Sequence, residues 1–181
     1  TQAPLGDWSP PFNHNCEEAA ILMTHYYLEG KALPAPEKIA EELLAMVNFE
    51  VRKYGRHEDT AASQTAQLIK DYYGYQAKVY FDVSLTDIKK ELIKGNPVIV
   101  PTNGRLLKNP YFTAPGPLYH MLVIKGYTKD SFIVNDPGTK RGADFIYAPE
   151  ILENAIRDWE LLDWDTAGKN IRSAMVIMKK A

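Results

Sequence analysis

The apolar residues change their period once along this chain, and that change limits the folds open to it. Up to Gly95 they recur at helical spacing; beyond it they fall into short runs and alternations. Cys16, Ala19, Ala20, Met23 and Tyr27 predict a first helix from Cys16 to about Leu28, with Glu17, Thr24 and His25 on its other side. More than half of its circumference is apolar, which places it near the centre of the fold. A second helix opens after Pro34 and Pro36, carries the stripe Ile39, Ala40, Leu43, Leu44, Val47, Val51 and Tyr54, and ends at Gly55. A third, about Ala61 to Tyr73, stops at Gly74, and Gln76 to Phe81 reads as a short strand. Ser84, with Asp87 three residues on, caps a fourth helix that ends at Gly95.

The later segments are strands. "PVIVPT" (97–102) is an apolar run with proline at its start, suited to a buried strand. "LYHMLVIKGY" (118–127) and "SFIVND" (131–136) flank the polar turn Thr128-Lys129-Asp130, a hairpin signal. "DFIYA" adds a strand, Pro149 starts a last helix to Trp159, and "SAMVIMK" (173–179) closes the sheet. Helices first and antiparallel strands later is the α+β order. The 181 residues suit one domain, with a helical half at about 1–95 and a β half at about 96–181. The longest irregular stretch, Asn103 to Pro117, exposes Tyr111 and Phe112; a loop of that length more often borders a site than fills space.

Charge and cysteine usage exclude several functions. The net charge of -2 and pI near 6.1 leave no basic footprint for nucleic acid; Lys89, Lys90 and Lys94 read as the solvated face of a helix. No apolar stretch approaches the roughly 20 residues needed to span a bilayer. A single cysteine rules out an internal disulfide framework and a multi-cysteine zinc site. No cofactor is indicated, and His57, Glu58 and Asp59 lack a metal-ligand spacing.

That cysteine, Cys16, lies at the mouth of the first helix, where unpaired N–H groups favour the thiolate, and Asn15 before it is placed to cap. Glu17 and Glu18 oppose ionisation, and the buried stripe also suits a structural thiol. Of four histidines, His14 is too local a neighbour to serve as base, His25 is expected at the surface near Glu29, and His57 falls in a solvated loop. His120 differs, since it starts an apolar strand directly after the long loop, where a polar ring needs a partner. If the hairpin pairs Tyr127 with Ser131, Leu122 faces Asp136, and Asp136 becomes the diagonal neighbour of His120. A two-residue loop would flip it away. Asp136 also opens the turn "NDPG", which would hold a carboxylate still. A thiol, an imidazole and a carboxylate together suit nucleophilic acyl chemistry, with Gln2, Asn13 or Asn15 as donors to an oxyanion.

The ordered blocks "QAPLGDW…NCEEAAILMTHYYL", "GNPVIVPTN" and "HMLVIKGYTKDSFIVNDPG" resemble the papain-like cysteine peptidases related to bacteriocin-leader (double-glycine) processing enzymes, in their stand-alone branch. The resemblance runs from Gln2 to about Gly142. It implies a papain-like fold, with a nucleophile helix packed on an antiparallel sheet. It also implies Cys16 as nucleophile, His120 as base, Asp136 as third member and Gln2 as oxyanion donor. Here Gln2 stands fourteen residues before Cys16, and Glu17 replaces the glycine that usually follows the nucleophile. The implied activity is hydrolysis of peptide or amide bonds through a thioester acyl-enzyme, on a peptide or protein substrate. A transglutaminase-type acyltransferase and an inactive peptide-binding module share the fold and stay open. Relatives in this branch often bear export signals, so an extracytoplasmic place, with the targeting segment upstream of Thr1, is expected.

Overall fold

The structure is a computed structural model that describes residues 1–159 and 173–180. After a short 3-10 helix at Phe12–His14, the helices are α1 (Cys16–Leu28), α2 (Pro36–Tyr54), α3 (Ala62–Tyr73), α4 (Leu85–Ile93) and α5 (Pro149–Ala155). The strands are β1 (Gln76–Phe81), β2 (Val98–Thr102), β3 (His120–Tyr127), β4 (Phe132–Asn135), β5 (Phe145–Tyr147) and β6 (Ala174–Lys179). Local chemistry sets the boundaries. Pro36 starts α2 with the fixed φ a first turn wants, and Gly55 ends it in the left-handed region at φ 80°, donating to Val51 O. Ser84 and Asp87 form the expected capping box on α4.

One antiparallel sheet runs in the order β1-β6-β2-β3-β4-β5. β6 therefore does not close the sheet at an edge, as its position in sequence suggests. It inserts between β1 and β2, pairing Val79 with Val176 on one side and Ile99 with Val176 on the other. Both faces are covered. Tyr119, Met121 and Val123 of the β3 segment join Ile99 and Val176 in a core shared with Cys16, Ala20, Ile21, Met46 and Ile69 of the helices. Their alternates Leu122 and Ile124 pack with Val98, Ile88 of α4 and Leu152 of α5 on the opposite face. This explains why β2 reads as an unbroken apolar run: every residue of it is buried. The result is a mixed α+β fold, a helical lobe packed against an antiparallel sheet as in papain-like peptidases. No helix among the described residues is long and apolar enough to cross a membrane.

Three local expectations differ from the structure. Glu17 and Glu18 are fully buried on α1, where the sequence placed Glu17 on the polar side. On α2 the buried face holds Ala40, Leu43, Met46, Val47 and Glu50, whereas Leu44, Val51 and Tyr54 of the expected stripe are exposed. The face is turned because α2 must meet α1 and α3 together. The last helix stops at Ala155, before Trp159, where Ile156 takes an extended conformation and bridges to Thr102.

Candidate active site

The first turn of α1 and the start of β3 open onto one cavity of about 820 Å³, whose wall includes Gln2, His14, Cys16, Asp59, Phe112 and His120. Tyr111, Lys140 and Arg141 line it as well. The volume suits a peptide segment or a small ligand. The loop between β2 and β3 does border the site, and Phe112 stands edge-on to His120 with centroids 5.4 Å apart.

His120 and Asp136 meet as a buried pair, Nε2 to Oδ1 at 2.7 Å. The register that brings them together is reached by an unexpected route. The turn is one residue longer than expected, with Tyr127 opposite Phe132, which alone would turn Asp136 to the far face. A bulge between Ile124 and Gly126 removes that residue again, so Val123 faces Asn135 and the next step sets Leu122 toward Asp136. Asp136 also accepts from Gly138 N at 3.0 Å, Tyr147 Oη at 2.8 Å and Asn109 Nδ2 at 3.1 Å. Burial pushes its carboxyl up, but the charge of His120 and these donors outweigh that and hold it below the ordinary carboxylate range. An ionised Asp136 only accepts, so Nε2 of His120 carries the hydrogen of this bond. Tyr147 and Asn109 carried no sequence signal for this role beyond the shared parity of Phe145 and Tyr147 in "DFIYA".

Cys16 is a free, buried thiol. Its hydrogen-bond partner is Glu17: Sγ donates to Oε2 at 3.0 Å. Burial first, and then the Glu17 carboxyl, push the thiol well above its ordinary value. Gln2 is anchored by its backbone, donating N–H to Pro137 O at 2.9 Å, and its Nε2 donates to Phe12 O at 2.9 Å. Its Oε1 is buried without a hydrogen-bond partner. Asn13 lines the same cavity; Asn15 is buried, makes no side-chain cap, and leaves both side-chain polar atoms unpaired.

Of the remaining histidines, His25 and His57 depart from their expected places. His25 is half-buried, stacked on Tyr73 at 4.3 Å and bonded to Tyr75 Oη at 3.0 Å rather than lying free at the surface beside Glu29. His57 is not solvated: its Nδ1 is buried 4.0 Å from Glu18 Oε1. His14 lines the cavity. Among the described residues no group of three or more His, Cys, Asp or Glu is arranged to hold a metal ion.

Comparison with known proteins agrees with this fold. The model of the Peptidase_C39 like family matches residues 2–166. A Bacillus anthracis crystal structure described as a C39-like peptidase is similar at 17% identity and a TM-score of 0.56, over 93% of this chain and 90% of that one. The crystal structure of a double glycine motif protease from an AMS/PCAT transporter, in complex with the leader peptide, is similar at 20% identity and a TM-score of 0.53. It spans 92% of this chain and 85% of that one. No curated protein matches the sequence.

Proposed function

The chain belongs to the Peptidase_C39 like family, and on that premise we propose that it is a cysteine peptidase that hydrolyses peptide bonds. The observation that carries the reading is the cavity itself, which has Cys16, His120 and Gln2 on its wall and Asp136 fixed behind His120. In the proposed reaction Nδ1 of His120 takes the Cys16 proton. The thiolate attacks the substrate carbonyl, and the oxyanion is met by the Cys16 backbone amide and by the second Nε2 hydrogen of Gln2. His120 then gives its proton to the leaving amine as the C–N bond breaks, leaving a thioester on Cys16. Water, deprotonated by His120, attacks the thioester and releases the acid. Asp136 keeps the imidazole in the tautomer this needs and supports the imidazolium. The likeness to a protease bound to a leader peptide supports an extended peptide as the occupant of the cavity.

One observation favours a second reading. The Cys16–Glu17 bond and the raised thiol suit a module that binds peptide without turnover. Screening a peptide library against wild type, Cys16→Ala and His120→Ala separates the two. Hydrolysis by wild type, falling about 10⁴-fold in each variant, is the expected result. Binding of peptide without cleavage would establish the module instead, and product formed only with an added amine would identify an acyltransferase.

A further inference from the structure

Glu17 touches the sulfur of Cys16, and it is fully buried. Its two oxygens have different duties. Oε1 accepts the backbone N–H of Thr60 at 2.7 Å, and Thr60 is itself tied through its carbonyl to the hydroxyl of Tyr119. Oε2 faces Sγ at 3.0 Å. No Lys, Arg or His among the described residues forms an ion pair with Glu17. The charges around it are of its own sign: Glu18 on α1, Glu50 on α2 and Asp59 in the segment before α3 all disfavour a second anion. Just before β3 stands the buried Tyr119 phenol, on which burial first, then Glu17, and also Asp158, beyond the end of α5, act to disfavour ionisation. His14 and His57 lie close enough to Asp59 to offset part of its charge.

We propose that Glu17 is a positioning residue for the nucleophile, its neutral carboxyl donating Oε2–H to Cys16 Sγ once the thiol has passed its proton to His120. This rests on the peptidase reading of the site. The contact has two states. With Glu17 ionised, the thiol donates to Oε2 and the sulfur stays protonated. With Glu17 neutral, Oε1 is committed to Thr60 as acceptor, so Oε2 carries the hydrogen and the same contact runs from carboxyl to sulfur. The thiol proton goes to Nδ1 of His120, and the carboxyl proton stays on Glu17. Burial first, and then Glu18, raise the Glu17 carboxyl well above its ordinary value, which supports the neutral state at moderate pH. A hydrogen bond donated to an anion is stronger than one between neutral groups, so the donor favours the ion pair where a bare buried thiolate would be costly.

The rate of Cys16 alkylation by iodoacetamide, followed across pH, tests this without a peptide substrate. In wild type the rate should rise from acid pH, dip as Glu17 ionises and locks the thiol, and rise again when the thiol ionises alone. In Glu17→Gln the amide accepts from Thr60 and donates to sulfur at every pH. The dip should vanish, leaving a rate roughly tenfold above wild type where the dip was. A Glu17→Gln profile superimposable on wild type, or scaled by one factor at every pH, overturns the proposal. If the variant does not fold, infrared difference spectra of wild type before and after alkylation decide. The carboxylic-acid carbonyl band must shift when the sulfur loses its charge, and an unmoved band overturns the proposal. Reshaped alkylation with no peptide cleaved would leave Glu17's role standing and remove the peptidase reading alone.

Discussion

Gly138 follows Asp136 in the turn "NDPG", and its lack of a side chain is what lets His120 lie where it does. A Cβ there would stand 2.9 Å from Cε1 of His120 and 2.8 Å from Cε1 of Phe112. The imidazole is not free to retreat, since it is held by Asp136 and edged by Phe112. Gly138→Ala is therefore expected to turn the imidazole off its line to the cavity, lowering kcat by roughly 10²-fold through misplacement. Overpacking should cost about 1–3 kcal/mol of stability. Peptide hydrolysis and urea unfolding of the same preparation check both; unchanged kcat with a normal midpoint would show that the ring adapts. At this scale the sequence was partly legible. The His120–Asp136 contact was readable, because a polar ring at the start of an apolar strand needs a partner and strand alternation offered that carboxylate. Gly138 read only as a turn residue, because its contact with His120 spans 18 positions and leaves no local pattern.

Between α1 and α2 the Glu18 and Glu50 carboxyls are both buried, both oxygens of Glu18 and Oε2 of Glu50 have no hydrogen-bond partner, and Glu50 disfavours a charge on Glu18. Burial raises Glu50 from 4.5 to about 8, and burial and then Glu50 raise Glu18 well above its ordinary value. A carboxyl raised on folding binds its proton more tightly in the native chain than in the unfolded one. The stability it contributes is complete below the unfolded pKa of 4.5 and is lost as pH climbs toward about 8. Wild type should thus become less stable across that window. Glu50→Gln, which cannot ionise, should flatten the dependence and gain about 1–3 kcal/mol at the alkaline end. Urea midpoints at stepped pH measure this, and parallel curves for the two proteins would refute it. The helix boundaries were readable, because Pro36, Gly55, Gly74 and Ser84 act through their own backbone. The buried face of α2 was readable only at Ala40, Leu43 and Val47. A hydropathy pattern scores a glutamate such as Glu50 as solvent-facing, although the packing of α2 buries it. The bulge in β3 was hidden for the same reason: it is compensated by a longer turn, and only the sum of the two fixes the final register.

The sheet ties the middle of the chain to its last described strand, since β1 pairs with β6, and β6 in turn pairs with β2. That order was not legible, because non-local strand pairing leaves no period in the sequence. Its consequence is mechanical. Cys16, Ile69, Ile99, Met121 and Val176 share one buried cluster drawn from helices and sheet alike, so neither layer has a core of its own on that face. The cavity lies where α1 and β3 meet, and its geometry depends on that shared core. The helical and β layers are therefore expected to unfold together. Far-ultraviolet circular dichroism, aromatic near-ultraviolet signal and labelling of Cys16 should report one urea midpoint. Met121, fully buried on the face of β3 that meets α1, gives the sharper test. Met121→Ala should cost about 2–5 kcal/mol and move all three midpoints by the same amount. If the thiol became labelled at a lower urea concentration than the sheet signal was lost, α1 would be detaching from β3 while the sheet stood. The site would then rest on a separable contact between layers.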